Sequence, residues 1–455
     1  MRHAVDRPAP HRMLHGFKGE RAMQSERRVH RPGSPRAALA SKAFRWVFLG
    51  TFASNIGTWM QNVALLSFAD QLTGDATFVG IVTMAQLGPM LIISPIGGVL
   101  ADRFDRKRIM ITAATVQATM SIALAFSAMA VAPSKLLIVL CVLGIGIASA
   151  INGPASQATT PALVGRANLA GAVSLNSAQM NSSRVLGPIL AMVPFLHSPS
   201  TVFFVNASTY LFVIAAVGFV RFDSRPPHNP DREPVLRQFA GGLRAAADNP
   251  VLGRALTTVS LYSLFSLAYI YQMAGFAREE LGFDTQGYRL LFGTFGFGAA
   301  VGAIAVGTKL AAADRTLLVR VGLAAFALSL SVFSLAINGP VAFVSVACTG
   351  FFYFIVITAL STAIQHEVDD ANRGRIMGLW MMGWAGLVPV GSLIAGVAID
   401  RVGFSAVFIV GGVTAVALIP LANLSSTRPR RSARGPRRGS LSTTPPRPGA
   451  APGRR

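Results

Sequence analysis

Charge is scarce in this 455-residue chain: 13% of its residues are Asp, Glu, Lys or Arg, about half the usual 25% of a soluble domain. With 52% hydrophobic residues and a mean hydropathy of +0.51, most of the chain has lipid as its solvent. Acid is scarcer still, 19 residues against 41 Lys and Arg. A net charge of +22 would suit a nucleic-acid binder. Its cations, however, gather in the two tails and in alternate loops, the pattern of a cytoplasmic membrane surface, which excludes DNA or RNA as a partner. Cysteine is nearly absent: Cys141 and Cys348 lie inside apolar runs, so neither a disulfide framework nor a thiolate metal site is expected. The first apolar segment is too long for a signal-peptide core and follows a long basic leader without an Ala-x-Ala site, so no cleavable signal is expected. Gly302-x-x-x-x-Gly307-Thr308-Lys309 has Thr and Lys in the wrong order for a phosphate loop. No nucleophile, base and acid cluster together either. Neither an enzyme nor an ATP-driven pump is therefore expected, and no cofactor or metal is called for.

Long apolar runs are abundant, and about 20 such residues cross a bilayer as a helix. The spans are expected near 45–69, 78–101, 109–131, 136–156, 170–193, 201–220, 253–274, 288–310, 315–337, 341–364, 376–399 and 404–424. The expected fold is thus an all-α membrane protein of about twelve transmembrane helices in two six-helix halves. The longest polar interval divides the spans evenly. This gives a disordered basic tail at 1–42, halves at 43–221 and 253–424, a central loop at 222–252 and a second disordered basic tail at 425–455. Pro234 to Ala247 within the loop reads as an amphipathic surface helix.

Cations set the orientation. Loops after spans 2, 4, 6, 8 and 10 carry Arg103, Arg106, Lys107 and Arg108, then Arg166, the central Arg set, Lys309 with Arg315, and Arg373 with Arg375. Loops after spans 1, 5 and 9 carry none. Both termini and the central loop are expected to be cytoplasmic, with the basic tails attracting anionic lipids. The loop after span 7 departs from the trend with Arg278 and Arg289, accompanied by Glu279, Glu280 and Asp284.

The stretch Gly98-Val-Leu-Ala-Asp102-Arg103-Phe-Asp-Arg106-Lys107-Arg108 ends the second span. It resembles the loop signature of the major facilitator superfamily, with Asp105 in place of that signature's second Gly. A weak repeat, Val185-Leu-Gly-Pro188-Ile against Gly386-Leu-Val-Pro389-Val, suits two homologous halves. Further blocks, among them Gly57-Thr-Trp-Met-Gln61, Arg184-x-x-Gly187-Pro188 and Arg373-Gly-Arg-Ile-Met377, are similar to the transmembrane secretion effectors, the branch that includes the enterobactin exporter. The resemblance covers roughly 43–424. It implies a secondary transporter, an exporter working by proton antiport, with gating at Gly98, Asp102, Arg103, Arg106 and Lys107. In that gate Asp102 caps a neighbouring helix and Arg106 holds it.

Candidate substrate contacts come from polar and aromatic stripes inside the spans. They are Asn55, Trp59 and Asn62 in span 1, Asn181 and Arg184 in span 5, Tyr262 and Tyr269 in span 7, Gln365 in span 10, and Trp380 and Trp384 in span 11. Gly187 and Pro188 are expected to bend span 5. Arg184 is the most unusual residue, because an unpaired cation deep in a span is costly. It is either an anion-attracting substrate contact or a hydrogen-bond donor to neighbouring backbone carbonyls. Gly298-x-x-x-Gly302 reads as close helix packing. The expected function is export of a small molecule such as a drug, siderophore or secondary metabolite across a bacterial cytoplasmic membrane, by a monomer. An importer in the same fold, or a non-transporting sensor or scaffold, is the alternative.

Overall fold

In the computed structural model, residues 31–193, 196–222, 224, 235–310, 312–369 and 372–424 are described. The tail regions 1–30 and 425–455 and the stretch 225–234 lie outside them, and so does the expected lipid attraction of those tails.

Helices begin where short polar side chains replace the missing backbone acceptors. Ser41, Asp75, Asp105, Ser134, Asn249, Asp284, Asp314 and Asn338 each accept a first-turn N–H, an interaction worth about 1 kcal/mol per helix. Ends are set by glycine where the chain must turn left-handed, as at Gly74, with φ 64°. Helix α1 spans Pro35–Ala40. The first six rods follow: α2 (Lys42–Thr73), α3 with α4 (Ala76–Leu87 and Pro89–Arg103), α5 (Arg106–Met129), α6 (Lys135–Val164), α7 (Leu169–Leu190) and α8 (Pro199–Phe219). Helix α9 (Val235–Asp248) lies between the sets. The second six are α10 with α11 (Pro250–Leu261 and Tyr269–Glu279), α12 (Thr285–Gly307), α13 (Arg315–Ser334), α14 (Gly339–Glu367), α15 with α16 (Arg373–Met381 and Leu387–Val402) and α17 (Phe404–Ala417). No strand occurs among the described residues.

Nine of these rods are long and apolar enough to cross a membrane. The three others occupy expected spans 1, 5 and 12. Helices α2 and α7 carry many amides and hydroxyls, and α17 is only 14 residues long. Lipid-side positions are apolar and exposed, including Phe219 at 89% and Leu328 at 68%. This is the inverse of a soluble surface.

Part of the stretch expected as a tail, Pro35–Ala40, is helical. Ser34 caps α1, with Pro35 in its first turn, and Ala38 is fully buried. Ser41 donates its hydroxyl to the Leu163 carbonyl at 2.7 Å. A small-residue helix needs little depth to dock, and the capping signal outweighed the basic composition around it.

The rods at positions 7 and 11 are each interrupted by a five-residue π segment, Tyr262–Ser266 and Met382–Gly386. One extra residue per turn rotates every later side chain relative to an α-helical count. The Gly298 and Gly302 pair packs as expected, its α-carbons facing the Ala347 and Phe351 carbonyls of α14.

Candidate functional site

Three clusters of polar side chains stand out. The first is at the hairpin joining α4 to α5. Asp105 caps α5 with φ −60°, which any residue adopts, so the glycine of the related signature is not needed there. Burial raises the Asp105 pKa, but the Ser224 hydroxyl, the Arg108 and Lys107 N–H groups and the Arg108 charge together bring it below the ordinary carboxylate value. Arg106 donates to the carbonyls of Ala101 and Ala158, at 3.1 and 3.0 Å. Lys107 donates to the Gly218 and Val220 carbonyls at 2.7 and 3.0 Å. These two cations therefore sit on the C-terminal ends of α4, α6 and α8, where the helix dipole favours positive charge. Asp102 is half-buried, Arg103 is exposed, and the Gly98 α-carbon has open space beside it.

The second cluster surrounds Arg184 in α7. Its guanidinium lies 5.4 Å from the Trp59 ring centroid, 5.4 Å from Trp384 and 5.9 Å from Phe354. Each such contact is worth about 0.5–2 kcal/mol, more where water is excluded. The rings come from α2, from the Met382–Gly386 segment and from α14, so both sets of rods meet here. Trp384 donates its indole N–H to the Tyr353 hydroxyl at 3.2 Å and stacks on buried Trp380. Arg184 Nε is buried without a hydrogen-bond partner. The backbone here is held by glycines: Gly187 abuts Trp59 and Met60 of α2, and a Cβ on Gly296 of α12 would fall 3.3 Å from the Arg184 carbonyl oxygen. Helix α7 runs on through Pro188 to Leu190. Asn55 and Asn181 are half-buried, and Asn62 accepts a hydrogen bond from Gln86 of α3 at 2.6 Å.

Three expected contacts fall elsewhere. Tyr262 and Tyr269 are 0% and 2% exposed and pack on Phe326, with Tyr269 also against Phe295 and Phe408. They belong to the aromatic core of the second six rods. Gln365 is exposed at the hairpin end and bonds only Ser361, one turn earlier.

The third cluster closes the opposite, far end, and the sequence alone did not reveal it. Asp400, at the end of α16, accepts from the Ala76 and Thr77 N–H groups, both at 2.9 Å, and from the Thr77 hydroxyl. Its carboxylate thus caps α3 from across the molecule. Asp75 hydrogen-bonds Asp400; that bond first, then burial and the neighbouring negative charge, raises the Asp75 pKa above its ordinary value. Asp70 of α2, 4% exposed, is gripped by Arg278 of α11 at 2.7 and 3.2 Å. Buried Gln272 donates to the Ala76 and Ser392 carbonyls, at 3.2 and 3.0 Å. Fully buried Arg289 donates to the carbonyls of Ala191, Leu196 and His197. Except for the Gln272–Ser392 bond, which joins α11 to α16, these contacts tie a first-set element to a second-set element. Gly80 brings α3 against α16, a Cβ there falling 2.8 Å from the Leu393 α-carbon. At the hairpin end the same two rods leave open space beside Gly98, Gly374 and Gly378.

Among the described residues no His, Cys, Asp and Glu cluster could hold a metal ion.

Comparisons with known proteins agree with this architecture. The sequence pattern of the family described as transmembrane secretion effector matches residues 33–434. The enterobactin exporter EntS of Shigella boydii serotype 4 (strain Sb227) is 28% identical over 412 residues, covering 86% of this chain and 95% of that protein. EntS of Escherichia coli (strain SMS-3-5 / SECEC) is 26% identical over 404 residues, with the same coverage of 86% and 95%. Among solved structures, the nucleoside transporter NupG aligns with a TM-score of 0.65 at 12% identity, covering 84% of this chain and 98% of its own. A bacterial homologue of the human lysosomal transporter Spinster, in an inward-facing and unoccupied conformation, aligns at 0.63 with 14% identity, covering 84% and 95%. At such identities the two structures show a shared fold.

Proposed function

The chain belongs to the transmembrane secretion effector family of membrane transporters, and from that premise we propose that it exports a small organic molecule by alternating access. One observation carries the reading. The rods Ala76–Arg103 and Arg373–Val402 are in backbone contact at the far end and leave open space at the hairpin end. That is the arrangement of a carrier whose substrate path is open on one side only.

The cations of the hairpin, the α9 region and the Arg373–Arg375 turn support a cytoplasmic open side under the positive-inside rule. Substrate then enters from the cytoplasm, reaches the Arg184 cluster between the two halves, 43–221 and 253–424, and leaves when the far end parts. The far-end contacts are hydrogen bonds, one half-buried ion pair and small-residue packing. Each is worth about 1–3 kcal/mol, so the set can be exchanged for equivalent contacts at the other end. Export rather than import is supported by the EntS relatives, which are exporters by name. A siderophore or similar secreted metabolite is the corresponding cargo. Proton antiport supplies the energy, as the family resemblance implies, and one chain suffices for the cycle. In the gate, Arg106 and Lys107 fix the hairpin to its own half while Asp102 faces the end that must close.

The test compares small molecules inside and outside cells lacking this protein, complemented with the wild type or with Asp102→Asn. A compound retained by the deletion and by Asp102→Asn cells, yet secreted with the wild type, supports export. Uptake into cells that depends on the wild-type chain overturns it in favour of import. An unchanged small-molecule distribution across all three strains removes the transport reading.

A further inference from the structure

We propose that the aromatic cage around Arg184 is a binding site for an organic anion whose negative charge lies on or beside an aromatic ring. This deepens the export reading and rests on it for the claim that the ligand is cargo.

Among the described residues Arg184 has no ion pair and no hydrogen bond, and its Nε is buried. The residue is half-buried, and a cation partly withdrawn from water gains from a compensating partner. Three aromatic faces supply part of that, at 5.4–5.9 Å. Rings interact through their π faces, whereas the five N–H donors of a guanidinium lie in its own plane and match a carboxylate or phenolate fork. The cage therefore leaves the strongest recognition element unanswered.

Nor does helix packing need the charge. Gly187 and Gly296 make the close backbone approaches of α7 to α2 and α12, and neither contact uses the guanidinium. A purely structural arginine would be spent on carbonyls, as Arg289 is, with three of them.

The surroundings select the rest of the ligand. Trp384 has already given its N–H to Tyr353, so it offers a ring face and no donor. Trp59 and Phe354 present further ring faces. One cationic fork among flat apolar walls suits a planar arene bearing an anion. A cationic amine would be repelled, and a neutral isostere would forgo the charge-assisted bonds. Because the walls come from both sets of rods, a bound anion would also touch the two parts that move.

The test uses the purified full-length protein and calorimetric titration with three isosteric probes: 1-naphthoate, 1-naphthamide and 1-naphthylmethylammonium. The proposal expects naphthoate to bind at least about tenfold tighter than the amide, as hydrogen bonds to a charged group imply, and the ammonium to bind weakest. Arg184→Gln should bring naphthoate down to the amide, and Arg184→Lys should keep part of the preference. Equal or absent binding of naphthoate and naphthamide to the wild type overturns the proposal, whether or not the Gln variant folds. A preference retained by Arg184→Gln overturns it too. The export reading fails separately: selective naphthoate binding by a protein that moves nothing in proteoliposomes under any gradient keeps the site and removes the transport. Export of a metabolite by a protein that does not discriminate the probes does the reverse.

Discussion

Replacing Asp400 by alanine should loosen the far end without unfolding the protein. The carboxylate accepts two backbone N–H groups at 2.9 Å and the Thr77 hydroxyl. Hydrogen bonds to a charged group reach about 1.5–3 kcal/mol each when water is excluded. Asp400 is exposed, so water replaces much of what is lost, and a net loss of about 1–2 kcal/mol, the size of an N-cap effect, is expected. Helix α3 itself survives, because Asp75 also accepts from the Thr77 and Phe78 N–H groups. The loss therefore falls on the contact between the two sets of rods, shifting the open-to-closed ratio of the far end by about 5–30-fold. Ser392 is fully buried where α16 faces α3, which makes Ser392→Cys a reporter once Cys141 and Cys348 are replaced. Labelling by a membrane-impermeant maleimide from outside should rise at least about fivefold in Asp400→Ala, with an unchanged melting temperature. Unaltered labelling, or a lower melting temperature without altered labelling, refutes the reasoning.

Other perturbations probe the same closure. Because the closed far end raises the Asp75 pKa above 3.8 and lowers that of Asp400 below it, closure is most favoured between the two, weakening as pH rises through the raised value or falls through the lowered one. Ser392→Cys labelling, normalised to that of a permanently exposed cysteine so that thiolate ionisation cancels, should increase as pH rises through the raised Asp75 value, and Asp75→Asn should flatten the profile; a flat normalised wild-type profile contradicts this. Arg278→Ala leaves the buried Asp70 carboxylate unpaired and should lower stability by about 1–3 kcal/mol after allowance for the exposure of Arg278. Adding Asp70→Asn should restore part of the melting temperature; strict additivity of the two changes would show that the pair is uncoupled. Gly80→Val places a branched side chain where a Cβ already meets the Leu393 α-carbon at 2.8 Å, and should raise Ser392→Cys labelling. Labelling as low as in the parent would mean that α3 and α16 are not held in contact there.

The rods themselves were legible because lipid imposes a length on apolar runs. The span expected at 201–220 is Pro199–Phe219, and the surface helix expected at 234–247 is Val235–Asp248. Arg184 was legible for the same reason, since one cation in an apolar run has no trivial explanation. Tyr262 and Tyr269 lie in an aromatic core rather than beside Arg184, because helical spacing groups residues on one face without saying which neighbour that face meets. The far end was illegible for a different reason. Asp400 meets Ala76 across 324 residues, and Arg278 meets Asp70 across 208. Acids at span ends are common, and only the fold says which helix each one caps. Asp105 shows the opposite case: it departs from the related hairpin signature, yet Asp is itself a strong helix cap, so the turn forms without glycine.

The decisive measurement is a pair of spin-label distances in the purified protein reconstituted in lipid. One pair joins Thr73 and Arg401 at the far end, the other Arg103 and Gly374 at the hairpin end. Alternating access requires the two distances to change in opposite senses as pH and the naphthoate probe are varied, the far-end pair lengthening as the hairpin-end pair shortens. Distances that stay fixed under every condition, or that lengthen and shorten together, would contradict a carrier whose two ends open in turn.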